Sequence, residues 1–231
     1  MTNQKIRVIS ALVVRSPFDA AILPAWSDQG YSADVGWTPT TVIMKNIADG
    51  FRSDIAIVTV QAMDELIEKG IVEAGSRVEL VVSNIGLAVK AGARHPNIAD
   101  VAALTKTLVD ARSVAYSIGG ASGIYFKSLI EKLGIADIVN QKASTIPEGF
   151  TAEKLIGGEA DLAVQQISEL LVVPNIEVVG PLPKGAQKST SFSAAMFKGA
   201  AQPELCSAFL AHIVSPLAKT AYQEKGLDPV F

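Results

Sequence analysis

The chain has 231 residues, enough for one large domain or two smaller ones, and 49% of them are hydrophobic, which excludes a disordered protein. Its 20 lysine and arginine residues against 23 acidic ones give a formal net charge of −3, which argues against nucleic acid or an anionic membrane surface as the main partner. A single cysteine, Cys206, excludes an internal disulfide and a site built from several thiolates.

The first ten residues, MTNQKIRVIS, contain no apolar stretch before a strand-like segment, so the sequence predicts no secretion signal. No apolar run approaches the roughly 18 residues that span a membrane, so no membrane insertion is expected. The protein is therefore expected to be cytoplasmic as the sequence stands, or periplasmic if a leader was removed from it. A transporter permease is an expected partner only if the protein is exported.

Short apolar runs alternate with helical segments along the chain, a pattern that predicts an α/β protein. The predicted strands are IRVIS, DIAIVTV, VELVVS, IGLAVK, SVAYS, DLAVQ and IEVVG. Gly70 and Gly134 each stand at the end of a helical segment, where a glycine accommodates a left-handed backbone. A last helix is predicted to begin at Ser215–Pro216 and to end at Gly226.

Two stretches of the chain match two later ones. FRSDIAIVTVQAMDELI resembles GEADLAVQQISELL, with Asp54 on Asp161, and RVIS matches VAYS, with Ser10 on Ser117. The shared offset of 107 residues indicates two similar α/β halves, although strand–helix units also resemble one another by chance. Ligands of open α/β sheets bind beyond the carboxyl ends of the strands, so that edge is the predicted site in each half.

The segment YSIGGASGIY combines glycines and serines between a predicted strand and a predicted helix, where backbone N–H groups are open to hold an anion. Ser122 and Gly123 begin the helix, and ordinary capping by Ser122 is the alternative to ligand binding. The segment has neither the lysine of a phosphate-binding loop nor the spacing of a dinucleotide fingerprint. With two histidines in the chain and no metal-ligand cluster, we expect no cofactor and no metal.

Seven further segments carry a resemblance to a known family. They are ISALVVR, DGFRSDIAIVT, VSNIGLAVKAGARHPNI, ASGIYFKSLIEKLGI, GGEADLAVQQISELL, VVGPLPKG and VSPLAKTAYQEKGL. In order and spacing they resemble the type II periplasmic substrate-binding proteins, in particular the molybdate-binding-protein-like group. The resemblance implies a two-lobed α/β fold in which each lobe is a mixed sheet flanked by helices, with a ligand cleft between the lobes. It implies residues 1–82 and 188–231 for the first lobe and residues 83–187 for the second, joined by two hinge strands.

The same resemblance implies a ligand site in which hydroxyls and backbone amides at helix starts hold an oxyanion. Carried onto this sequence, and with the neighbouring amide included, the predicted ligand-binding residues are Arg15, Ser16, Thr38, Thr40, Thr41, Ser122, Gly123, Phe150, Gln165 and Gln166. Arg15 stands where a small or hydroxyl residue is expected, and its planar guanidinium suits a carboxylate. We therefore expect a small organic anion as the ligand, with a surface or inter-lobe ion pair as the alternative role of Arg15.

Two functions fit this site. One is the solute receptor of an ABC transporter, which binds a molybdate-like oxyanion or an organic anion without chemistry. The other is an enzyme, because the sequence resembles the branch of the family that includes aconitate isomerase, which interconverts cis- and trans-aconitate. We expect the isomerase, since no leader is visible, with Glu148 and Tyr125 as candidate acid–base groups. Helix capping by Glu148 and burial of Tyr125 in its helix are the alternatives.

Overall fold

The computed structural model describes residues 5–231, which form two compact units. Residues 5–83 and Thr190–Phe231 form the first unit, and Asn84–Ser189 form the second. Each unit is a mixed β-sheet with helices packed on it, which confirms the predicted α/β class.

The first unit contains a six-stranded sheet. Its strands are β1 (Lys5–Ser10), β2 (Ser32–Trp37), β3 (Ile55–Thr59), β4 (Val78–Ser83), β10 (Thr190–Met196) and β11 (Leu227–Pro229), in the spatial order β11-β4-β10-β3-β1-β2. Its helices are α1 (Arg15–Pro17), α2 (Leu23–Ser27), α3 (Thr40–Ala48), α4 (Val60–Glu68), α10 (Pro203–His212) and α11 (Pro216–Glu224), with 3-10 turns at Leu12–Val14 and Ala74–Ser76 and a π-helical turn at Phe18–Ile22.

Both faces of this sheet are buried, because its strands alternate apolar side chains between two hydrophobic clusters. Along β3, Ile55 and Ile57 pack in one cluster, which also contains Trp26. Ala56 and Val58 point to the opposite face and pack in the other cluster. A sheet covered on both sides explains why these strands are continuous apolar runs. Within this core Cys206 is fully buried, and burial raises the pKa of its thiol to about 11.

The second unit contains a five-stranded sheet. Its strands are β5 (Ile85–Lys90), β6 (Val114–Ser117), β7 (Ala143–Ile146), β8 (Leu162–Gln166) and β9 (Ile176–Pro181), in the order β7-β6-β8-β5-β9. Its helices are α5 (Val101–Asp110), α6 (Ala121–Lys132), α7 (Ala136–Asn140), α8 (Glu153–Ile156) and α9 (Ile167–Leu170). One cluster centred on Phe126, Ile130 and Val164 packs helices against the sheet.

The two sheets share one topology, which gives the sequence repeat a structural basis. β1 lies between β2 and β3 and is parallel to both, as β6 lies between β7 and β8. In each unit the next strand runs antiparallel to this set, β10 beside β3 and β5 beside β8, and the strand after it, β4 or β9, is antiparallel to that one. The first sheet adds β11, which is antiparallel to β4. The matched aspartates also correspond, because Asp54 accepts the N–H of Arg7 at 2.7 Å and Asp161 accepts the N–H of Arg112 at 3.2 Å.

All seven predicted strands are present, and four further strands were not predicted. β2, β7, β10 and β11 carry polar residues, glycine or proline within short segments, which weakens the apolar pattern. The predicted helix ends are confirmed, since Gly70 and Gly134 have φ of +65° and +71° and Ser215 caps α11. Over residues 5–231, no helix combines the length and apolar character needed to cross a membrane.

The two matched aspartates give a prediction about stability. The Asp54 side chain is 9% exposed and that of Asp161 is 42% exposed, so the hydrogen bond lost on removal of Asp54 is the better shielded from water. We expect Asp54→Ala to lower the free energy of unfolding by about 2 kcal/mol and Asp161→Ala by less than about 1 kcal/mol.

Urea unfolding followed by tryptophan fluorescence tests this prediction, because both tryptophans, Trp26 and Trp37, belong to the first unit. Asp54→Ala should move the fluorescence transition to lower urea, and Asp161→Ala should leave it in place. Equal shifts for the two variants would contradict the inferred difference in burial.

Candidate functional site

The three parallel strands of the second unit end at one edge of the sheet. β6, β7 and β8 end at Ser117, Ile146 and Gln166, and the N–H of Ile118 donates to the carbonyl of Ile146 just beyond the ladder. The segments that follow these strands therefore lie side by side. They are the glycine-rich turn before α6, the loop Pro147–Thr151 and the start of α9.

The glycine-rich turn brings α6 into direct contact with the end of β6. A Cβ atom built on Gly123 would lie 1.6 Å from the carbonyl oxygen of Ser117, and one built on Gly119 would lie 2.8 Å from that of Pro147. Real Cβ atoms do not approach so closely, so these glycines are required by the protein's own backbone. The glycines of this turn are therefore explained by the packing of α6 on β6, in addition to the anion binding that the sequence predicts.

The start of α6 offers hydrogen-bond donors for an anion. Its N-cap is Gly120, so no side chain satisfies the first N–H groups of this 12-residue helix. Ser122 is 2% exposed, and its hydroxyl has no side-chain hydrogen bond to any of the described residues. The hydroxyl of Ser117, also 2% exposed, has no partner within residues 5–231 and lies 2.8 Å from where a Cβ of Gly123 would be.

Ser117 is therefore a further candidate for the site, one that the sequence analysis missed. It is one of six residues within 5–231 with a buried side-chain polar atom that has no hydrogen-bond partner among those residues. Its signal was present, since the internal repeat places Ser117 on Ser10 at the end of β1. The two serines nevertheless differ in bonding, because the hydroxyl of Ser10 donates to the carbonyl of Ala11 at 3.0 Å. A buried hydroxyl without a protein partner is unusual and is readily explained by a bound ligand or water.

The predicted residues of the first unit gather at the equivalent edge of their own sheet. β1 and β2 are adjacent and end in register at Ser10 and Trp37. Arg15 begins α1 after β1, half-buried, and its Nε lies 3.3 Å from Asp19 Oδ2. Ser16 follows it in the same helix and is also half-buried.

The threonines follow β2 at this edge. The N–H of Thr38 donates to the carbonyl of Ser10 at 3.1 Å, which holds the turn against the end of β1. Thr40 is the first residue of α3, whose N-cap Pro39 supplies no side-chain hydrogen bond. Thr41 follows and is exposed. The structure thus brings the predicted arginine, serine and threonines together within the first unit.

The two candidate acid–base residues occupy different surroundings. Glu148 is exposed in the loop that follows β7, at the edge described above. The hydroxyl of Tyr125 donates to the carbonyl of Ala186 at 3.1 Å, and the Nζ of Lys188 lies 5.6 Å from the centre of its ring. Tyr125 therefore faces the connection between β9 and β10.

Gln165 lies at the centre of a hydrogen-bond network and is 2% exposed. Its Oε1 accepts from the N–H of Thr151 at 2.8 Å and from the Thr151 hydroxyl at 3.0 Å. Its Nε2 donates to the carbonyl of Gly149 at 2.8 Å. The side-chain amide thus joins the end of β8 to the loop that carries Glu148 and the buried Phe150.

Glu169 is a second group that the sequence analysis missed. It follows Gln165 and Gln166 at the start of α9 and is 9% exposed. Burial raises the pKa of its carboxyl group from 4.5 to about 8, against a smaller opposite effect of the Gln165 amide and the Gln166 N–H. The carboxyl group is therefore largely protonated at neutral pH.

A wide groove lies at the opposite edge of the second sheet and contains none of the predicted site residues. It has a volume of about 960 Å³ and is lined by segments that precede β6 and β8. Its charges are largely paired, with Arg112 on Asp161 at 2.7 Å and Lys106 on Asp110 at 2.6 Å. Across residues 5–231, no three acidic, cysteine or histidine side chains are grouped to hold a metal ion. The carboxyl edge therefore remains the candidate site.

Comparison with protein families and sequences gives two matches. Residues 6–228 match the family described as bacterial extracellular solute-binding protein. An aconitate isomerase from Pseudomonas sp. is 37% identical to this chain over 204 residues, which cover 88% of this chain and 77% of that protein.

Solved structures share the fold at low sequence identity. The periplasmic molybdate-binding protein of Azotobacter vinelandii superposes with a TM-score of 0.79 at 16% identity, covering 98% of this chain and 99% of that one. PEB3 of Campylobacter jejuni, with L-phospholactate bound, superposes with a TM-score of 0.69 at 14% identity, covering 96% and 99%. These likenesses confirm the predicted two-lobed binding-protein fold.

The packing of α6 on β6 predicts that Gly123→Ala is severely destabilising. An added Cβ would overlap a backbone carbonyl that cannot move without breaking the end of β6, so we expect a loss of more than about 3 kcal/mol in the free energy of unfolding. Gly75→Ala is the control, because nothing lies within 4 Å of its Cβ position. Urea unfolding followed by far-UV circular dichroism measures both, and similar transitions for the two variants would contradict the close contact.

The raised pKa of Glu169 predicts a pH dependence of stability. Between about pH 4.5 and about pH 8 the unfolded chain loses this proton and the folded protein keeps it, so the free energy of unfolding falls as the pH rises. The fall is on the order of 4 kcal/mol. Glu169→Gln keeps a hydrogen-bond acceptor and does not titrate.

The measurement is the difference in unfolding free energy between the wild-type protein and Glu169→Gln at several pH values across that range. We expect the stability of the wild-type protein relative to the variant to decrease as the pH rises and to level off above about pH 8. A difference that is independent of pH would show that Glu169 has an ordinary pKa.

Proposed function

The chain belongs to the bacterial extracellular solute-binding protein family, and on this premise we propose that it binds a small polycarboxylate and isomerises it as aconitate isomerase does. The observation that carries the proposal is the 37% identity to aconitate isomerase over 88% of the chain. The family is a family of ligand-binding proteins, and the arginine among the predicted ligand residues favours a carboxylate over a metal oxyanion.

The proposed reaction is a proton shift. Aconitate has three carboxylates, a carbon–carbon double bond and a methylene group beside it. A base removes a methylene proton, the double bond moves by one position, and a proton is returned to the carbon that was vinylic. One proton leaves and one arrives, so the reaction needs no oxidant, reductant or co-reactant. The intermediate carries additional negative charge, and hydrogen-bond donors and positive charge stabilise it.

Each unit has its own proposed ligand contacts at the carboxyl edge of its sheet. In the first unit, Arg15 is proposed to bind a carboxylate bidentately, with Ser16 and the threonine hydroxyls as further donors; these are Thr38, Thr40 and Thr41. In the second unit, the hydroxyl of Ser122 and the N–H groups at the start of α6, including that of Gly123, are proposed to bind another carboxylate. We add Ser117, whose buried hydroxyl supports this assignment.

The remaining predicted residues are assigned to the loop beside α6. Phe150 is 7% exposed and Gln165 is 2% exposed, so their proposed part is to shape and hold this loop. Gln166, the N-cap of α9, is proposed to place the start of α9 at the same edge. Glu148 is the proposed proton carrier, because it is exposed in this loop. Tyr125 is the second candidate, although its hydroxyl already donates to a backbone carbonyl.

A solute receptor is the alternative function. The molybdate-binding protein with a TM-score of 0.79 favours it, because the same donors at helix starts bind an inorganic oxyanion. A receptor closes on its ligand and releases it unchanged to a transporter. An enzyme releases a different isomer. Conversion of the ligand therefore separates the two functions.

The test is incubation of the purified protein with cis- or trans-aconitate, followed by proton NMR of the isomer ratio. We expect the wild-type protein to interconvert the isomers. Arg15→Ala should raise KM by at least about tenfold, since a charge-assisted hydrogen bond to a carboxylate contributes about 1.5 to 3 kcal/mol. Glu148→Ala should lower kcat by about 100-fold or more with a smaller change in KM.

Arg94→Ala is the matched control, because Arg94 is an exposed arginine in the groove at the other edge of the second sheet. Its kinetics should equal those of the wild-type protein. Tight binding of molybdate together with no conversion of aconitate would refute the isomerase and favour the receptor.

A further inference from the structure

Lys188 carries a positive charge that the surrounding chain does not neutralise. It lies in the connection between β9 and β10, and its Nζ atom is 5.6 Å from the centre of the Tyr125 ring in α6. No carboxylate of residues 5–231 forms an ion pair with this ammonium group. The face of an aromatic ring attracts a cation but leaves its charge and its N–H donors in place. The ammonium group is therefore held and still able to bind an anion.

The position of this charge is unfavourable unless an anion joins it. The first turn of α6 contains no acidic residue, and residues 182–189 contain two lysines and no acidic residue. The N-terminus of a helix carries a partial positive charge, so a cation beside it is repelled. A negatively charged ligand at the start of α6 would compensate both the helix and the ammonium group.

Tyr125 brings the ammonium group to the start of α6. It is four residues after Ala121, the first residue of this helix, so the two lie on one side of it, about 6 Å apart along the axis. Side chains on a helix point back toward its N-terminus, so the Tyr125 ring extends along the first turn. Lys188, over that ring, therefore lies beside the N–H groups that begin the helix.

Hydrogen bonds hold both partners in place. The Tyr125 hydroxyl donates to the carbonyl of Ala186 at 3.1 Å. The side-chain Oε1 of Gln187 accepts the N–H groups of Lys188 and Ile85, each at 3.0 Å, and its Nε2 donates to the carbonyl of Ile85 at 2.8 Å. The amide of Gln187 thus pairs with Ile85 as a neighbouring strand would, and it ties the backbone of Lys188 to the start of β5. A residue fixed in this way loses less conformational entropy when a ligand binds.

The helix start beside Lys188 has its own groups for an anion. The Ser117 hydroxyl is 2% exposed, has no partner within residues 5–231, and lies 2.8 Å from where Cβ atoms of Gly120 and Gly123 would be. Together with the N–H groups of α6 it can bind one carboxylate or one inorganic oxyanion. Only a ligand with a second carboxylate on a nearby carbon can also reach the ammonium group of Lys188.

We propose that Lys188 binds a second carboxylate of the ligand, beside the carboxylate at the start of α6, and thereby selects a polycarboxylate over an oxyanion with a single centre. The inference rests on the proposed function for the class of ligand and on the contacts of Lys188 for its position. Hydrogen bonds between an ammonium group and a carboxylate are charge-assisted and stronger than neutral ones. The positive charge also offsets the repulsion between neighbouring carboxylates of the ligand.

The first experiment is isothermal titration calorimetry at neutral pH with two anions in separate titrations. Tricarballylate has the carboxylates of aconitate but no double bond, so it cannot be isomerised, and molybdate has a single centre. We expect Lys188→Met to weaken the binding of tricarballylate about tenfold or more and that of molybdate less than about threefold. Lys188→Arg keeps the charge and the contact with the ring, so it should bind tricarballylate within about threefold of the wild-type protein.

Lys132→Met is the matched control. Lys132 is an exposed lysine in the last turn of α6, about 16 Å along the helix axis from its first residue, and its removal changes the net charge by the same amount. This variant should bind both anions as the wild-type protein does. Unchanged binding of tricarballylate by Lys188→Met, equal weakening of both anions, or an equal loss in Lys132→Met would each overturn the inference.

The second experiment measures the kinetics of Lys188→Met with aconitate and separates this inference from the proposed function. In a protein that converts aconitate we expect KM to rise about tenfold or more, and an unchanged KM refutes the role of Lys188 alone. A wild-type protein that binds tricarballylate without converting aconitate refutes the isomerase, and calorimetry still decides the role of Lys188. A wild-type protein that neither binds tricarballylate nor converts aconitate overturns both.

Discussion

The side-chain amide of Gln165 is the contact on which the geometry of the carboxyl edge in the second unit depends. One planar group joins the end of β8 to both sides of the buried Phe150 in the loop that follows β7. Because the amide is buried, each of its bonds must be satisfied for the loop to stay in place. The loop in turn lies against the turn before α6, so three chain segments share one fixed arrangement.

The second constraint is the contact of α6 with the end of β6. A helix can begin so close to a strand only if a residue without a side chain stands at the point of contact, and Gly123 is that residue. The close start places the N–H groups of α6 directly above the buried hydroxyl of Ser117. An anion at this point would be bound by dipoles and hydroxyls within the unit.

The sequence predicted the architecture well, because the buried strands are continuous apolar runs and the helices end at glycines. The offset between Asp54 and Asp161 also anticipated the shared topology of the two sheets. Three of the four missed strands, β2, β7 and β11, lie at sheet edges, where a strand with one neighbour and a polar face has no clear period. The fourth, β10, is central, and its threonine and serines interrupt the apolar pattern. For the candidate site, the sequence identified the chain segments but not every residue within them. Ser117 belongs to an ordinary-looking strand end, and Glu169 has the spacing of a surface helix residue. The burial of these two residues depends on the tertiary packing of α6 and α9, and a local sequence pattern does not predict that packing.

The protonation of Glu169 connects the stability of the fold with the chemistry at this edge. β8 and β6 are adjacent strands, so α9 and the anion-binding start of α6 emerge from neighbouring positions, about 5 Å apart in the sheet. An ionised carboxylate there would repel a polycarboxylate in a region where water is scarce and charge interactions are strong. Burial keeps the carboxyl group neutral at pH 7, so it adds no negative charge at this edge. Above about pH 8 the carboxyl group loses its proton, and under the proposed function that added charge would weaken the binding of an anion.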